Sequence, residues 1–520
     1  MRFLWLLSIP GLLCAQFDVL IANGKIVDGT GNPWFYGDIG IRGDSIAAIG
    51  KLTGATARET IDARGLVVAP GFIDIHSHGR RGIFEVPTAE NYLREGVTTF
   101  IEGPDGSSPV PLAPFFAKLS STPISVNVAS FVGHGSIRTE VMGLENRKST
   151  PQEVEKMKDL ARQAMLDGAV GLSTGLFYVP GNYANTEEVI EIAKVVGALG
   201  GIHQSHMRDE TDHILDSVRE TIRIGEEGLL PTQVTHHKVI GAANWGRSVA
   251  TLKLIEEARE RGVDVTIDEY PYTASSTGIA ALFPQWSQAG GHAALVERLD
   301  APDSREKIRN EIIGNIRDGR GGGDPKNIVI ASCAFDATLA GKSLADLTRA
   351  RGVAVTNESA ADTAMELQRK GNCSAVYHAI GEEDVERIMR SPYTMIASDG
   401  EIPLFGKAAP HPRSYGTFAR VLGVYVRERH VLTLEDAVRK MSGMPAERLK
   451  FGDRGILRPG MKADLVVFDA AAVSDRSTFE KPHQYSVGFE DVVVNGKLAL
   501  KAGKVTAERP GRVLYGPAKK

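Results

Sequence analysis

Short clusters of histidine, lysine and aspartate follow several apolar runs of the chain that are typical of β-strands. In chain order these clusters are His76-Ser77-His78, Asp105, His206, His236-His237-Lys238 and Asp399. Imidazole nitrogens and carboxylate oxygens are the ligands that Zn(II) takes in catalytic sites, where one open position holds water. A metal ion there lowers the pKa of its water toward about 7 and polarises a carbonyl group. The pattern therefore predicts a hydrolytic metal centre.

The individual residues differ in how specifically they indicate a metal. His76 and His78 are two positions apart, so both side chains point to the same face of an extended segment and can bind one ion. Two neighbouring ions need a bridging anion, for which Asp105 is the candidate and Glu102, in the same turn, is the rival. Asp399 is expected to bind metal and also to act as general base toward water and then as acid toward the leaving amine.

The elements that must position these residues are apolar strands alternating with helical segments. The predicted strands are Leu66–Ile75, Thr98–Glu102, Ile124–Phe131, Val170–Ser173, Gly201–Ser205, Thr232–Thr235, Val263–Asp268 and Tyr393–Ser398. Helical patterns lie between most of them, and Thr150-Pro151-Gln152-Glu153 predicts a capped helix start. Eight such units predict an α/β fold with a (β/α)8 TIM-like barrel. Every polar cluster then lies at the carboxyl end of a strand, where such barrels keep their active sites.

Both ends of the chain are rich in short strands and turns. Asn23-Gly24 between apolar runs is a strong hairpin signal, and a similar Asn-Gly occurs at residues 495–496. We therefore expect residues 16–70 and 446–520 to form one small β-sandwich, with the barrel at residues 71–445. An insertion at about residues 285–372, between barrel strands seven and eight, is expected to form a partial lid. The alternative is a surface elaboration without a role.

Composition and the first residues limit the compartment and the partners. Net charge is −4 and no basic run predicts a nucleic acid partner. Residues 1–15 have a positive start, a short apolar run and a small final residue, which is typical of a signal peptide. The protein is therefore expected to be secreted or periplasmic, and nothing later is long and apolar enough for a membrane span.

Two cysteines, Cys333 and Cys373, remain after the signal peptide is removed. They are too few to form a disulfide framework in a chain of this size. One bridge is an open alternative, and two isolated small side chains are the simpler expectation.

Longer motifs around these residues resemble the N-acyl-D-amino-acid deacylases (D-aminoacylases) of the amidohydrolase superfamily. The motifs are residues 70–78 (PGFIDIHSH), 96–99 (GVTT), 133–138 (GHGSIR), 206–210 (HMRDE), 236–238 (HHK) with 244–246 (NWG), 270–272 (YPY), 398–400 (SDG) and 411–416 (HPRSYG). The first motif occurs across the superfamily. The motifs at 270–272 and 411–416 narrow the resemblance to the deacylases.

This resemblance implies one or two zinc ions. His76, His78 and Asp399 would bind on one side and His206 and His236 on the other. Better-known members of the family carry cysteine at the position of Asp105, and a carboxylate is a harder ligand than a thiolate, which changes the expected metal preference. The predicted fourth strand has no lysine that could form the carbamylated bridge of related cyclic-amide hydrolases.

The expected reaction is hydrolysis of an N-acyl-D-amino acid to a carboxylate and a free D-amino acid. The candidates for binding this small-molecule substrate are Lys238, Tyr270, Tyr272, Ser276 and Arg413. Arg413 offers a bidentate fork to a carboxylate, and the resemblance implies that Lys238, Arg413 and one of the two tyrosines bind the α-carboxylate. The alternatives are hydrolysis of a dipeptide or a cyclic amide, or a binding protein of the same fold without catalysis. The D configuration rests on the resemblance, and the sequence gives no oligomeric state.

Overall fold

A computed structural model describes residues 16–519 of the chain; the predicted signal peptide at residues 1–15 lies outside this range. Elements are numbered in chain order. The strands are β1 (Phe17–Ile26), β2 (Phe35–Arg42), β3 (Ser45–Gly50), β4 (Ala57–Asp62), β5 (Val67–Pro70), β6 (Phe72–Asp74), β7 (Val97–Glu102), β8 (Asn127–Ser130), β9 (Val132–Gly133), β10 (Gly171–Gly175), β11 (Ile202–His206), β12 (Thr232–Val234), β13 (Val265–Glu269), β14 (Ser275–Gly278), β15 (Ile328–Cys333), β16 (Cys373–Tyr377), β17 (Thr394–Ile396), β18 (Leu465–Phe468), β19 (Phe489–Val494), β20 (Lys497–Lys501) and β21 (Lys504–Val505). The α-helices are α1 (Glu90–Leu93), α2 (Ala113–Ser121), α3 (His134–Met142), α4 (Pro151–Asp167), α5 (Thr186–Ala198), α6 (Ile214–Gly228), α7 (Ser248–Glu260), α8 (Gly291–Asp300), α9 (Pro302–Asp318), α10 (Leu344–Ala350), α11 (Asn357–Lys370), α12 (Glu382–Arg390), α13 (Arg413–Arg420), α14 (Leu434–Met441) and α15 (Gly443–Arg448).

Parallel strands form the predicted barrel. Strands β6, β7 and β8 pair in that order, and a second run pairs as β9, β10, β11, β12, β13 and β17. The two runs meet where Ser77 bridges Gly400 in parallel and the Asp399 N–H donates to the His76 carbonyl at 2.9 Å. On the other side, β8 and β9 follow each other directly and together form the third strand of the barrel. Val513, near the C-terminus, forms a β-bridge with Val128 of β8. The prediction of a (β/α)8 barrel is confirmed.

The outer helices bury one face each against the barrel. Helix α4 begins at the predicted capping box, in which Thr150 Oγ1 accepts from the Glu153 N–H and the Glu153 carboxylate accepts from the Thr150 N–H. Its buried residues include Met157, Ala161 and Ala164, at the spacing of one helical face. Capping satisfies two backbone donors that the helix itself leaves free.

Both ends of the chain form a single nine-stranded sheet, as the repeated Asn-Gly pattern led us to expect. The order is β21-β20-β19-β18-β5-β1-β2-β3, and β1 pairs with β4 along its first half and with β5 along its second. Alternate residues of β18 point to opposite faces of the sheet and join two different apolar cores. Val467 packs in the core of the terminal sheet, whereas Val466 packs in the core that the sheet shares with the barrel. One face of the terminal sheet therefore covers a core of its own, and the other face packs against the barrel.

One difference lies at the start of the barrel. The predicted first strand, Leu66–Ile75, is two strands, because β5 belongs to the terminal sheet and β6 to the barrel. Gly71 separates them, and a Cβ at this position would lie 2.3 Å from the Thr98 side chain.

The insertion forms a separate layer between β13 and β17. It contains the antiparallel sheet β14-β16-β15 and helices α8, α9, α10 and α11 around an apolar core of its own. Its elements run from Ser275 to Tyr377, wider at both ends than the predicted 285–372.

The expectation of two isolated cysteines is wrong, because Cys333 and Cys373 form a disulfide. They are opposite each other in the antiparallel pair β15–β16, with Cα atoms 4.2 Å apart. A separation of 40 residues in sequence gives no sign of that register. No helix between residues 16 and 519 is both long and apolar enough to cross a bilayer.

Candidate metal centre

The six predicted metal-binding residues meet at the carboxyl end of the barrel. His76 and His78 follow β6, Asp105 follows β7, and His206 is the last residue of β11. His236 follows β12 and Asp399 follows β17. The barrel topology thus brings together side chains that are more than three hundred residues apart in sequence, such as His76 and Asp399.

Three of these residues have unusual backbone conformations. Asp105, His236 and Asp399 have φ angles of 54°, 36° and 49°, a region that non-glycine residues seldom adopt. Specific contacts hold two of them: the His236 N–H donates to Asp268 Oδ1 at 2.7 Å and the Asp399 N–H donates to the His76 carbonyl. Strain of this kind persists where the surrounding structure imposes it, and it concentrates at functional sites.

The side chains form two groups that share Asp105. The first contains His76, His78, Asp105 and Asp399, and the second contains Asp105, His206 and His236. Within each group one donor atom per residue lies within 4.8 Å of all the others. Imidazoles and carboxylates that converge in this way fit one divalent ion per group.

Distances around Asp105 show how it joins the two groups. Its Oδ1 lies 3.4 Å from His76 Nε2, 3.3 Å from His236 Nε2 and 3.7 Å from His206 Nδ1, while Oδ2 lies 3.3 Å from His78 Nε2. The rival Glu102 points elsewhere, because its carboxylate accepts from the Arg80 backbone N–H and guanidinium. The geometry favours Asp105 as the bridging ligand.

Unpartnered nitrogens also fit a metal. His76 Nε2 and both ring nitrogens of His206 are buried and have no hydrogen-bond partner among residues 16–519. His76 Nδ1 lies 2.7 Å from Thr235 Oγ1, which directs Nε2 toward the centre. An unpaired buried nitrogen is costly, and an ion in each group would bind His76 Nε2 and one of the two His206 nitrogens.

At Asp105, Asp399 and His206, electrostatics favour the protonation state that binds a cation. Burial raises the pKa of Asp399, but the Arg413 guanidinium, 2.7 Å away, outweighs this and holds the pKa well below its usual range. Burial likewise raises the pKa of Asp105, and the nearby His76 and His236 lower it further than burial raises it. Burial lowers the pKa of His206 to about 4. Two carboxylates and a neutral imidazole are therefore available near pH 7.

Glu210 and Arg320, which were not predicted as site residues, lie behind the second group. Glu210 Oε1 lies 3.3 Å from His236 Nδ1 and Oε2 lies 3.8 Å from His206 Nε2, so one buried carboxylate contacts both rings. Lys238 bonds to Glu210, and Arg320 Nη2 lies 3.3 Å from Glu210 Oε2. An acidic residue four positions after a strand-end histidine was the only signal for Glu210.

A cavity of about 660 Å³ opens above the two groups. Of the predicted substrate-binding residues, Lys238, Tyr270, Ser276 and Arg413 line it. Arg413 Cζ lies 4.8 Å from the centre of the Tyr270 ring, and the Tyr270 hydroxyl is buried without a partner in the described part of the chain. This pair is well placed to bind a carboxylate.

The structure places Tyr272 outside the cavity and gives Lys238 partners within the protein. The Tyr272 side chain does not line the cavity; it packs against His411 and Arg420. The Tyr272 N–H bonds to the Tyr270 carbonyl, a tight turn that sends the two side chains in different directions. Lys238 reaches the cavity, but its ammonium bonds to Glu210 and lies 2.7 Å from His236 Nδ1 and 2.9 Å from the His236 carbonyl oxygen. Two of its donors are therefore engaged within the protein, at Glu210 and at the His236 carbonyl.

Comparisons with known proteins agree with this geometry. A model of the amidohydrolase family matches residues 59–499. The chain is 39% identical to a D-aminoacylase and 37% identical to an N-acyl-D-glutamate deacylase, both of Alcaligenes xylosoxydans xylosoxydans, over 96% of this chain and 97% and 96% of theirs.

A solved structure is similar over the same length. It is an N-acyl-D-glutamate deacylase of Bordetella bronchiseptica complexed with zinc and a phosphonate inhibitor described as a mimic of the tetrahedral intermediate. It superposes with a TM-score of 0.82 at 36% identity and covers 96% of this chain and 99% of its own. The chain therefore belongs to the amidohydrolase family, on the D-aminoacylase branch.

Proposed function

We propose that this protein is a zinc-dependent hydrolase that cleaves the amide bond of N-acyl-D-amino acids to a carboxylate and a free D-amino acid. The observation that carries the proposal is the pair of imidazole–carboxylate groups sharing Asp105, next to Arg413 and Tyr270 in one cavity. The similarity to deacylases over nearly the whole chain supports the substrate class.

His76, His78, Asp105 and Asp399 would hold one ion, and Asp105, His206 and His236 a second. A bound zinc ion supplies a Lewis acid that polarises the amide carbonyl and lowers the pKa of water. Glu210 contacts both His206 and His236 on the sides away from Asp105 and so orients the two rings.

Asp399 performs the proton transfers. Arg413 Nη1 binds its Oδ2 at 2.7 Å, which fixes the carboxylate and keeps it ionised, while Oδ1 faces His76 and His78. An ionised carboxylate in this position accepts a proton from the attacking water and returns it to the leaving amide nitrogen.

The α-carboxylate of the substrate binds at Arg413 and Tyr270. Arg413 presents a planar fork, and Tyr270 adds a hydroxyl donor that has no other partner in the described residues. The Ser276 carbonyl accepts from Arg413 Nη2 at 3.4 Å and thus helps to position the guanidinium.

Paired N-acetyl-D- and N-acetyl-L-amino acids test this function directly. The protein is assayed as purified, after exhaustive chelation, and after zinc is restored in defined amounts. We expect hydrolysis of the D substrates alone, loss of activity on chelation and recovery with zinc. Preference for the L substrates, or undiminished hydrolysis by the fully chelated protein, would refute the proposal.

We also propose that the protein acts in the periplasm or outside the cell, after cleavage of a signal peptide at residues 1–15. The Cys333–Cys373 disulfide supports this location, since structural disulfides persist in oxidising compartments and are rare in the cytosol.

A further inference from the structure

The carboxylate shared by the two ligand groups is carried by a turn of unusual backbone shape. In the segment that follows β7, Gly103, Asp105 and Gly106 have φ angles of 79°, 54° and 72°. Glycine adopts this region readily, whereas a residue with a Cβ does so only at a cost. Asp105 is therefore strained, and the direction of its side chain depends on how the surrounding structure holds the turn.

One buried hydroxyl binds both ends of this turn. Ser173 is the third residue of β10 and is fully buried. Its Oγ donates to the Gly103 carbonyl oxygen at 2.5 Å and accepts from the Gly106 N–H at 3.2 Å. A serine hydroxyl has one donor and two acceptor lone pairs, so both bonds can form at once. The hydroxyl thus links backbone groups on both sides of Asp105.

The backbone around Asp105 also packs closely against the neighbouring strands. A Cβ at Gly175, at the end of β10, would lie 2.1 Å from the Asp105 carbonyl oxygen. A Cβ at Gly133, in β9, would lie 2.4 Å from the Gly106 carbonyl oxygen, to which the Ser136 N–H donates at 3.0 Å. These glycines leave room for the turn, and hydrogen bonds from β10 and α3 fix its position.

A shift of this turn would change both ion sites, because Asp105 belongs to both ligand groups. Its two oxygens lie between 3.3 and 3.7 Å from imidazole nitrogens of the two groups. Such ligands must be held to within about 0.5 Å of their productive geometry. Among the ligands, Glu210 contacts His206 and His236, which both belong to the second group.

We infer that Ser173 is a positioning residue of the metal centre, and that its hydroxyl holds Asp105 in the conformation that bridges the two ions. The inference rests on the proposed function and deepens it, because it names what fixes the bridging ligand. Ser173 does not line the cavity, so it acts through Asp105 and not on the substrate.

Zinc titration of the chelated Ser173→Ala protein tests this role. Without the hydroxyl, the Gly103 carbonyl and the Gly106 N–H lose their shared partner and the turn is free to shift. We expect the affinity for zinc to fall by about tenfold or more at both sites, since contacts of this kind typically contribute about 10- to 100-fold.

Kinetics give a second reading of the same variant. At a zinc concentration that saturates only the wild-type protein, kcat of Ser173→Ala should be lower, because fewer molecules carry both ions. The KM should stay near the wild-type value, because Arg413 and Tyr270 are unchanged. Further zinc should restore kcat, which it would not do for a protein that had merely lost stability.

Ser287→Ala is the matched control. Ser287 is also fully buried, its hydroxyl donates to the Pro284 carbonyl at 2.7 Å, and it belongs to the insertion and does not line the cavity. Any loss of stability there should leave both zinc affinities unchanged. If Ser173→Ala does not fold, as judged by thermal unfolding, Ser173→Cys replaces it. A thiol is a weak donor and acceptor, so zinc binding at both sites should still be weaker.

Three results would overturn the inference. Wild-type zinc affinities in the folded Ser173 variant would show that the hydroxyl only stabilises the fold. Weaker binding at one site alone would show that Ser173 does not act through the shared carboxylate. Failure of the wild-type protein to bind two zinc ions would refute the bridging role of Asp105, and the inference with it. In contrast, wild-type protein that binds two zinc ions but hydrolyses no N-acyl-D-amino acid would refute the proposed function, while the zinc titrations would still decide the role of Ser173.

Discussion

At the scale of single residues, one carboxylate determines the geometry of the centre. Asp105 Oδ1 faces His76, His206 and His236, while Oδ2 faces His78, so its two oxygens contact both groups of ligands. A carboxylate can bridge two ions in this manner with hard oxygen donors. Asp399 contacts only the first group and is free to serve as the base there.

Replacement of Asp399 by asparagine tests the assigned base. The variant keeps the shape of the side chain but cannot accept a proton from water, so we expect kcat to fall by about a thousandfold or more. Zinc content must be measured together with kcat, because Asp399 also belongs to one ligand group. The group formed by Asp105, His206 and His236 should retain its ion.

The control for this substitution is Asp216→Asn, whose side chain is exposed on helix α6. It should leave kcat, zinc content and the unfolding temperature unchanged. Near-normal turnover by Asp399→Asn would remove Asp399 from the proposed mechanism.

Glu210 provides a second test at this scale. Glu210→Gln removes the charge that faces His206 and His236, and loss of such a contact typically weakens metal binding by about 10- to 100-fold. Zinc titration of the chelated protein should show weaker binding at one of two sites. The control is Glu401→Gln. Glu401 lines the same cavity but pairs with Arg81, so its substitution should leave the zinc affinity unchanged. Equal zinc affinities of Glu210→Gln and wild type would show that Glu210 does not orient the ligands.

Residue spacing predicted the parts of the centre that local geometry determines. His76 and His78 are two apart on one extended segment, and their rings converge as expected. Tyr270 and Tyr272 have the same spacing, but the turn around Pro271 separates them. Glu210 has one local signal, its position four residues after the strand-end His206, whereas Arg320 reaches the centre only through tertiary structure.

At the scale of elements, strands and helices with clear periodicity were predictable to within a few residues. The strands β14, β15 and β16 were not, because β14 consists of Ser275-Ser276-Thr277-Gly278 and lacks apolar alternation. The cross-strand pair Cys333–Cys373 depends on the register of this sheet. Its cysteines therefore could not be assigned as a disulfide from their positions in the chain.

Helices α3 and α5 are joined by a buried ionic contact that makes stability depend on pH. Glu188 on α5 bonds to His134 and Arg138 on α3. Burial raises the pKa of Glu188, but these bonds outweigh it and hold the pKa at about 2, below its ordinary value of 4.5. The folded state thus binds the proton less readily than the unfolded state.

The stabilisation from Glu188 is therefore complete above pH 4.5 and is lost as the pH falls from 4.5 toward 2. Its size is about 3 kcal/mol in the free energy of unfolding. Urea unfolding at pH 7 and pH 3 should show Glu188→Gln less stable than wild type at pH 7, with a smaller difference at pH 3. Equal differences at both pH values would show that this carboxylate does not contribute to the pH dependence.

At the scale of the whole molecule, the two ends of the chain hold the barrel in place. The terminal sheet pairs β1 with β5 and β5 with β18, and Val513 then fills the barrel wall beside Val128. The repeated Asn-Gly signal predicted that both ends are β-rich and belong together. The contact of the C-terminal segment with β8 was not predictable, because residues 506–519 carry no strand pattern of their own.

The proposed compartment can be tested on the complete chain. If residues 1–15 are a signal peptide, expression in a bacterial host should give periplasmic or secreted protein that starts close to Gln16, with Cys333 and Cys373 oxidised. The double substitution Leu6→Arg and Leu7→Arg interrupts the apolar run, which a signal peptide requires. It should leave the protein in the cytosol with its first residues intact and its two cysteines reduced. Cell fractionation, mass measurement of the intact protein and thiol titration distinguish these states.

Wild-type protein that stays cytosolic, retains residues 1–15 and carries free thiols would refute both the signal peptide and the extracytoplasmic location, while the metal centre and its chemistry would be unaffected.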